Sequence, residues 1–90
     1  MSPTYRPSAS VSVRPVDNEL VLLDGTRSRY FVLTPSATVV WETIAAAGTV
    51  ADATTRLVQE FAVDPHVAEQ DVAQLVDDLL QADLVEPVAR

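Results

Sequence analysis

Arg29-Tyr30-Phe31-Val32-Leu33 is the most informative segment of this 90-residue chain. Its neighbouring hydrophobic residues predict a β-strand that is apolar on both faces. The segment ends a small meander, so we expect it at an edge of the sheet. Edge strands are normally protected by Lys, Pro or a bulge, because their free N–H and C=O groups recruit other chains. This segment has no such protection, which predicts that another chain pairs with it.

Two further strands are predicted on the N-terminal side of this segment. Residues 10–14 alternate between apolar and polar, which is typical of a half-buried strand, and Pro15 is expected to end it. Residues 19–23 are apolar on both faces and suit the centre of a sheet. Turn residues follow each of these strands, at 17–18 and at 24–28. The three strands therefore form an antiparallel meander.

Three helices are predicted after the strands. Thr34-Pro35 and Asp64-Pro65 each combine a capping side chain with a proline suited to the first helical position. Thr49 caps the helix between them, and Gly48 ends the first helix. The third helix is predicted over residues 65–82. Strands followed by helices predict an α+β domain with the helices on one face of the sheet.

Helical periodicity indicates which side chains are buried. Val40 and Ile44 recur at helical spacing in the first helix, with Trp41 beside them. We interpret Trp41 as a core residue, with a partly open ring at a partner pocket as the alternative. In the second helix the predicted buried stripe includes Leu57 and Phe61. Leu84-Val85, after the third helix, is expected to pack back onto the core.

The third helix has an unusually broad apolar face of about 140°, against the roughly 100° that one neighbour requires. Its residues are Ala68, Val72, Leu75, Val76, Leu79 and Leu80. The extra width indicates either contact with both other helices or a margin that lines an open groove. Asp71 and Asp78 flank Leu75, where they would form an acidic rim.

The residue inventory predicts binding without catalysis, metal or cofactor. The chain has no cysteine, which excludes thiolate chemistry, disulfides and Cys-based zinc sites. His66 is the only histidine, and we expect it to be solvated near the start of the third helix. No carboxylate spacing matches a metal site, and no Gly-rich phosphate loop is present.

The net charge of −7 lies entirely in the second half of the chain. Residues 1–45 are neutral, whereas residues 46–90 hold two arginines against nine acids. That half would repel nucleic acid. We interpret the acids as solvated helix surfaces, with a basic peptide partner as the alternative.

The chain is predicted to be one domain in the cytoplasm. No segment is long and apolar enough to span a membrane, and the N-terminus has no signal-peptide pattern. Residues 1–8 are predicted as a flexible N-terminal arm, residues 9–86 as a single peptide-binding domain, and residues 87–90 as a tail.

Several segments in a fixed order resemble PqqD-like proteins, the leader-peptide recognition elements of ribosomally made, modified peptides. They are Leu22-Leu23-Asp24-Gly25, Tyr30-Phe31-Val32-Leu33-Thr34-Pro35, Val40-Trp41-Glu42, Thr49-Val50-Ala51-Asp52 and Phe61-Ala62-Val63-Asp64. With the leucine-rich last helix, the resemblance covers about residues 10–85. It implies a winged helix-turn-helix-like fold. Thr34 stands where many members have Asn, and both residues cap a helix.

The resemblance also implies a function. The leader of a precursor peptide would add as a fourth strand to residues 29–33 and lie in a groove against helix 65–82. The stand-alone length and Trp41 are most similar to the leader-binding subunit of lasso peptide biosynthesis. Such a subunit would present the precursor to a leader peptidase and a lasso cyclase. The alternative is a peptide chaperone of pyrroloquinoline quinone-type or other maturation.

The candidate peptide-binding residues lie on the edge strand and on the third helix. They are Ser28, Arg29, Tyr30, Phe31, Val32, Leu33, Asp71, Val72, Leu75, Val76, Asp78 and Leu79. Both Leu75 and Val76 are included, because either margin of the helix is compatible with the pattern.

Two other classes of protein stay open. A winged-helix fold is compatible with nucleic-acid binding, although the last helix carries several acids and no Arg or Lys. The unprotected edge is also compatible with pairing between two copies of the chain, as in a structural or regulatory module.

Overall fold

The computed structural model describes residues 4–88. In chain order its elements are β1 (Tyr5–Pro7), β2 (Val11–Val16), β3 (Glu19–Asp24), β4 (Arg29–Leu33), α1 (Pro35–Ala45), α2 (Val50–Phe61), α3 (Pro65–Gln81) and β5 (Val85–Pro87). Strands β2, β3 and β4 form an antiparallel sheet in that order, and β1 pairs with β5. The predicted α+β fold, a three-stranded meander followed by three helices, is confirmed.

Each helix begins at the capping residue that the sequence predicts. Thr34 Oγ1 accepts a hydrogen bond from a backbone N–H in the first turn of α1 at 3.3 Å. The Asp64 carboxylate accepts from the His66 N–H at 2.8 Å. Thr49 and Asp52 cap α2 reciprocally, through bonds of 2.9 and 3.1 Å. These bonds satisfy N–H groups that a helix leaves unpaired at its start.

Strand β2 continues through Pro15, so the prediction that Pro15 ends the strand is wrong. The Gly25 N–H donates to the Ser10 carbonyl at 3.0 Å, and this bond shows which residue pairs of the β2–β3 ladder are hydrogen-bonded. Hydrogen-bonded and non-bonded pairs alternate in an antiparallel ladder, and the Pro15–Leu20 pair is non-bonded. The nitrogen of Pro15 therefore points away from β3, and its missing N–H removes no ladder bond.

Residues 5–7 form β1, whereas the sequence predicts them within a flexible arm. Tyr5 lies opposite Pro87 in the ladder with β5, and it packs against the core. Arg6 Nε donates to the Glu86 carboxylate at 2.7 Å. A three-residue strand shows no period in sequence, and its partner lies at the other end of the chain. Pro87, predicted in the tail, belongs to β5, and the Val88 N–H donates to the Thr4 carbonyl at 3.0 Å. Residues 1–3 of the predicted arm and 89–90 of the predicted tail lie outside the described residues.

The hydrophobic core lies between the sheet and the three helices. Leu22 and Ile44 are fully buried, and Leu84 and Val85 pack onto the same cluster as predicted. Trp41 is only 3% exposed, which confirms its interpretation as a core residue.

Replacing Gly48 by Ala is expected to lower the free energy of unfolding by about 1–3 kcal/mol. A Cβ at Gly48 would lie 2.7 Å from Cγ2 and 2.8 Å from the carbonyl oxygen of Thr43. The Gly48 N–H already donates to that carbonyl at 2.8 Å, so the backbone has little room to move. Urea unfolding measures the effect.

The chain's other glycine supplies the matched control. A Cβ at Gly25 would meet the Ser10 oxygen at 3.6 Å, an ordinary contact, so Gly25→Ala is expected to leave stability nearly unchanged. Equal midpoints for the two variants would contradict the steric explanation.

Candidate functional site

The open edge of the sheet is β4, and Tyr30 and Val32 carry its outward backbone groups. Tyr30 pairs with Leu23, and Val32 pairs with Val21. Leu23 and Val21 already belong to the hydrogen-bonded pairs of the β2–β3 ladder, so their backbone groups point toward β2. The N–H and C=O groups of Tyr30 and Val32 therefore point away from β3. Within residues 4–88, no strand pairs with this edge.

The side chains of β4 alternate between the two faces of the sheet, and both faces carry apolar residues, as the sequence predicts. Leu33 is buried and Phe31 is half-buried against the core, so both face the helices. Tyr30 and Val32 lie on the opposite face and are 70% and 51% exposed. A peptide on this edge would therefore meet the main chain of Tyr30 and Val32, while its helix-facing side chains would point to the Phe31 side.

An open groove of about 520 Å³ lies between the three helices. Its lining is mostly apolar, with carboxylates, an amide and a hydroxyl among it: Ser36, Ala37, Val40, Leu57, Phe61, Val63, Asp71, Val72, Gln74, Leu75 and Asp78. Ser36 and Ala37 belong to the first turn of α1, directly after β4. The groove therefore begins where the open edge ends.

The structure brings four of the predicted helix residues together on this groove. They are Asp71, Val72, Leu75 and Asp78. Val72 borders the groove but is itself fully buried, whereas Val76 and Leu79 are buried in the core and do not line the groove. The Leu75 margin of α3 is therefore the open one. A role of these residues in peptide binding stays a prediction.

The sequence did not reveal the groove walls that α1 and α2 provide. The helical period predicts Phe61 in the buried stripe of α2, and this prediction is wrong, because its side chain is 42% exposed and lines the groove. Phe61 is the last residue of α2, and Ala62 leaves the helix in the left-handed conformation with φ 52°. The helical period therefore no longer decides which face is buried there.

A charged cluster joins the start of β4 to the C-terminal end of α3. Asp24 is buried, and its carboxylate accepts from Nη2 of Arg29 at 3.1 Å. The same Nη2 donates to the carbonyl oxygen of Ala82, where α3 ends, at 2.9 Å. Arg27 bridges from Asp24 to Asp83 with distances of 3.5 and 2.8 Å. We call these five residues the Asp24 cluster.

Two predicted site residues, Ser28 and Arg29, lie in or next to the Asp24 cluster. Arg29 is engaged within the protein, and its guanidinium also lies 5.2 Å from the centre of the Phe31 ring. Ser28, just before it, is exposed and has a left-handed backbone with φ 52°. These contacts hold β4 at a defined distance from the end of α3.

The pKa of the Asp24 carboxyl lies below its ordinary value. Burial by itself raises this pKa, but the hydrogen bonds from Arg29 and from the backbone N–H groups of Arg27 and Thr26, together with the Arg27 charge, lower it by more than burial raises it. The folded pKa is therefore below the unfolded value of about 3.9. The contribution of Asp24 to stability is present above that value and is lost as the pH falls through the folded pKa.

Asp24→Asn is therefore expected to reduce the loss of stability on acidification. An amide cannot titrate, so the variant is less stable at pH 7 but changes less between pH 6 and acid than the parent. Urea midpoints measured across this range test the prediction. The control is Glu69→Gln, which neutralises an exposed carboxylate on α3. An Asp24→Asn variant with the parent's pH dependence would contradict the assignment.

The single histidine of the chain lies away from the groove. His66 is exposed at the start of α3, as expected, and it lies outside the groove. Over residues 4–88, no group of three or more His, Cys, Asp or Glu is placed to hold a metal ion. In the same range, no helix has the length and apolar character that crossing a membrane requires.

Comparisons with known proteins identify similar chains. The family model described as coenzyme PQQ synthesis protein D (PqqD) matches residues 19–85. The solved structure of a lasso peptide synthetase B1 complexed with the leader peptide superimposes with a TM-score of 0.85. It is 30% identical, and the match covers 92% of this chain and 98% of that one.

A second solved structure, TbiB1 in complex with the TbiA(beta) leader peptide, also superimposes with a TM-score of 0.85. It is 24% identical, with 94% of this chain and 99% of that chain covered, and it supports the fold alone. No curated protein matches this chain.

Proposed function

This chain belongs to the PqqD family, and from that membership we propose that it binds the leader region of a ribosomally made precursor peptide without catalysis. The observation that carries the proposal is the open β4 edge, which leads into an apolar groove beside α3. The lasso peptide synthetase B1 structure, which is 30% identical, contains a bound leader peptide.

The leader adds to the sheet as a strand along β4. The outward N–H and C=O groups of Tyr30 and Val32 form hydrogen bonds with the leader main chain. Because these bonds involve no leader side chains, they are compatible with many leader sequences. Specificity comes from apolar leader side chains in the groove, against Phe61 and Leu75. Each fully buried anchor contributes about 1.5–3 kcal/mol. After ordering costs, a Kd between about 1 μM and tens of nM is expected.

In this role the protein presents the precursor to a separate leader peptidase and a lasso cyclase, in the cytoplasm where precursors are made. The likeness to a lasso peptide synthetase B1 supports this assignment. A non-catalytic role is supported by the groove lining, which combines apolar side chains with carboxylates and leaves the chain's one histidine outside.

The second candidate is a chaperone in a pyrroloquinoline quinone-type pathway. The description of the matching family model favours it. The same edge and groove would then hold a different leader, so the two candidates differ in the peptide rather than in the site.

Fluorescence polarisation of a labelled leader peptide tests the proposal. The leader is taken from a precursor encoded beside this protein's gene, and a scrambled version serves as the control. Saturable binding in the expected range, absent for the scrambled peptide, supports the adaptor function. No binding at tens of micromolar by a folded protein would refute it. Sedimentation without peptide then tests the alternative, because a stable dimer would indicate pairing between two copies.

A further inference from the structure

We infer that the bound peptide carries Lys or Arg two residues from its apolar anchor, and that Asp71 and Asp78 select for it. This inference rests on the proposed leader binding and specifies the chemistry of the leader. It starts from the placement of both carboxylates on the rim of the apolar groove.

The helix places these carboxylates on either side of Leu75. Asp71 precedes Leu75 by four residues and Asp78 follows it by three, so all three share one face of α3. At about 1.5 Å per residue, the two carboxylates lie about 6 and 4.5 Å along the axis from Leu75. The open margin of α3 is therefore an apolar contact with a negative charge at each end.

These charges are not compensated within residues 4–88. Asp78 accepts one hydrogen bond at 2.9 Å from the neutral amide of Gln74, and Asp71 has no ion-pair partner there. Among the residues that the structure describes, no basic side chain lines the groove. Arg27 and Arg29 are engaged by the Asp24 cluster, and Arg56 by Glu60. Both carboxylates are exposed and available, so a basic side chain of the bound chain would find a complementary charge here.

The spacing fits an extended peptide. In a strand, side chains two residues apart point the same way and are separated by about 6.6 Å. For a peptide that runs along the α3 axis, an anchor against Leu75 places the groove-facing residues at i−2 and i+2 near Asp71 and Asp78. Lys and Arg suit these positions, because their aliphatic stems cover apolar surface while the charge reaches the rim.

The contribution of Asp71 and Asp78 to leader affinity is limited because both carboxylates are exposed. Exposed ion pairs contribute modestly, so removing each carboxylate is expected to weaken binding up to about fivefold, and removing both about tenfold. Because salt screens exposed charges, the loss is larger at low ionic strength than at 0.5 M NaCl.

The test is a cycle of two proteins and two peptides, measured by fluorescence polarisation. The proteins are the full chain and its Asp71→Asn/Asp78→Asn variant. The peptides are the labelled leader of the adjacent precursor and a version with Gln in place of the Lys or Arg flanking its anchor. The parent leader is expected to bind the variant about tenfold more weakly, and the Gln peptide to bind both proteins alike.

The matched control is Glu69→Gln/Asp77→Asn, which removes two charges from the same helix outside the groove. It is expected to change the Kd less than twofold. Equal losses in the two double variants, or a leader that lacks a basic residue beside its anchor, would overturn the inference while leaving the proposed function intact. If the parent protein binds no leader at all, both the proposed function and this inference are overturned. The two kinds of failure are therefore distinguishable.

Discussion

Val32→Pro is expected to weaken leader binding at least about 100-fold while the domain stays folded. Val32 carries one of the two outward N–H groups of β4, and proline removes it without breaking a bond to β3. The loss of this ladder bond leaves a leader carbonyl unpaired. Together with the steric obstruction by the ring, this amounts to about 3 kcal/mol. Polarisation titration with the labelled leader measures the change.

The opposite edge of the sheet supplies a matched control. Val13 on β2 pairs with Leu22 as a non-bonded pair, so its N–H also points away from the sheet, but on the other edge. Val13→Pro is expected to leave the Kd within about twofold, because an equal backbone change is made away from the peptide. Circular dichroism establishes that both variants fold. A folded Val32→Pro protein with unchanged affinity would disprove binding at β4.

Leu75→Ala is expected to weaken leader binding about 10–30-fold. Leu75 is half-buried on the groove margin, so its truncation removes apolar contact with the anchor but little of the core. The lost contact amounts to about 1.5–2 kcal/mol of binding free energy. Titration with the same leader measures the effect, and urea unfolding shows how much stability is lost.

Val67 provides the comparison for Leu75. It lies on the same helix, is 45% exposed and does not line the groove. Val67→Ala is expected to change leader affinity less than twofold. If both truncations weaken binding equally, the groove is not where the anchor lies.

Local chemistry made the fold and the open edge predictable. Thr34, Thr49 and Asp64 show their capping roles in sequence, because each cap depends on residues within three positions. The alternation of Tyr30 and Phe31 likewise follows from the period of a strand. Such signals need no knowledge of tertiary contacts.

Long-range placement is what the sequence could not supply. Leu75 and Val76 both belong to the apolar face of α3, and only the position of α1 and α2 decides which of them is open. Arg29 looks like a free cation in the sequence, yet its partners include Asp24 and, 53 residues away, Ala82. The periodicity of a single helix or strand indicates neither the open margin of α3 nor the partners of Arg29.

The Asp24 cluster has a consequence for how long a peptide stays bound. Because it holds β4 against the end of α3 before any peptide arrives, the peptide meets a surface that needs little rearrangement. Association at about 10⁶ M⁻¹s⁻¹ is typical of such surfaces, so the expected Kd range implies residence times from about one second at 1 μM to about one minute at tens of nM. A carrier with a residence time between about a second and a minute releases each precursor without a separate unloading step and serves many of them in succession.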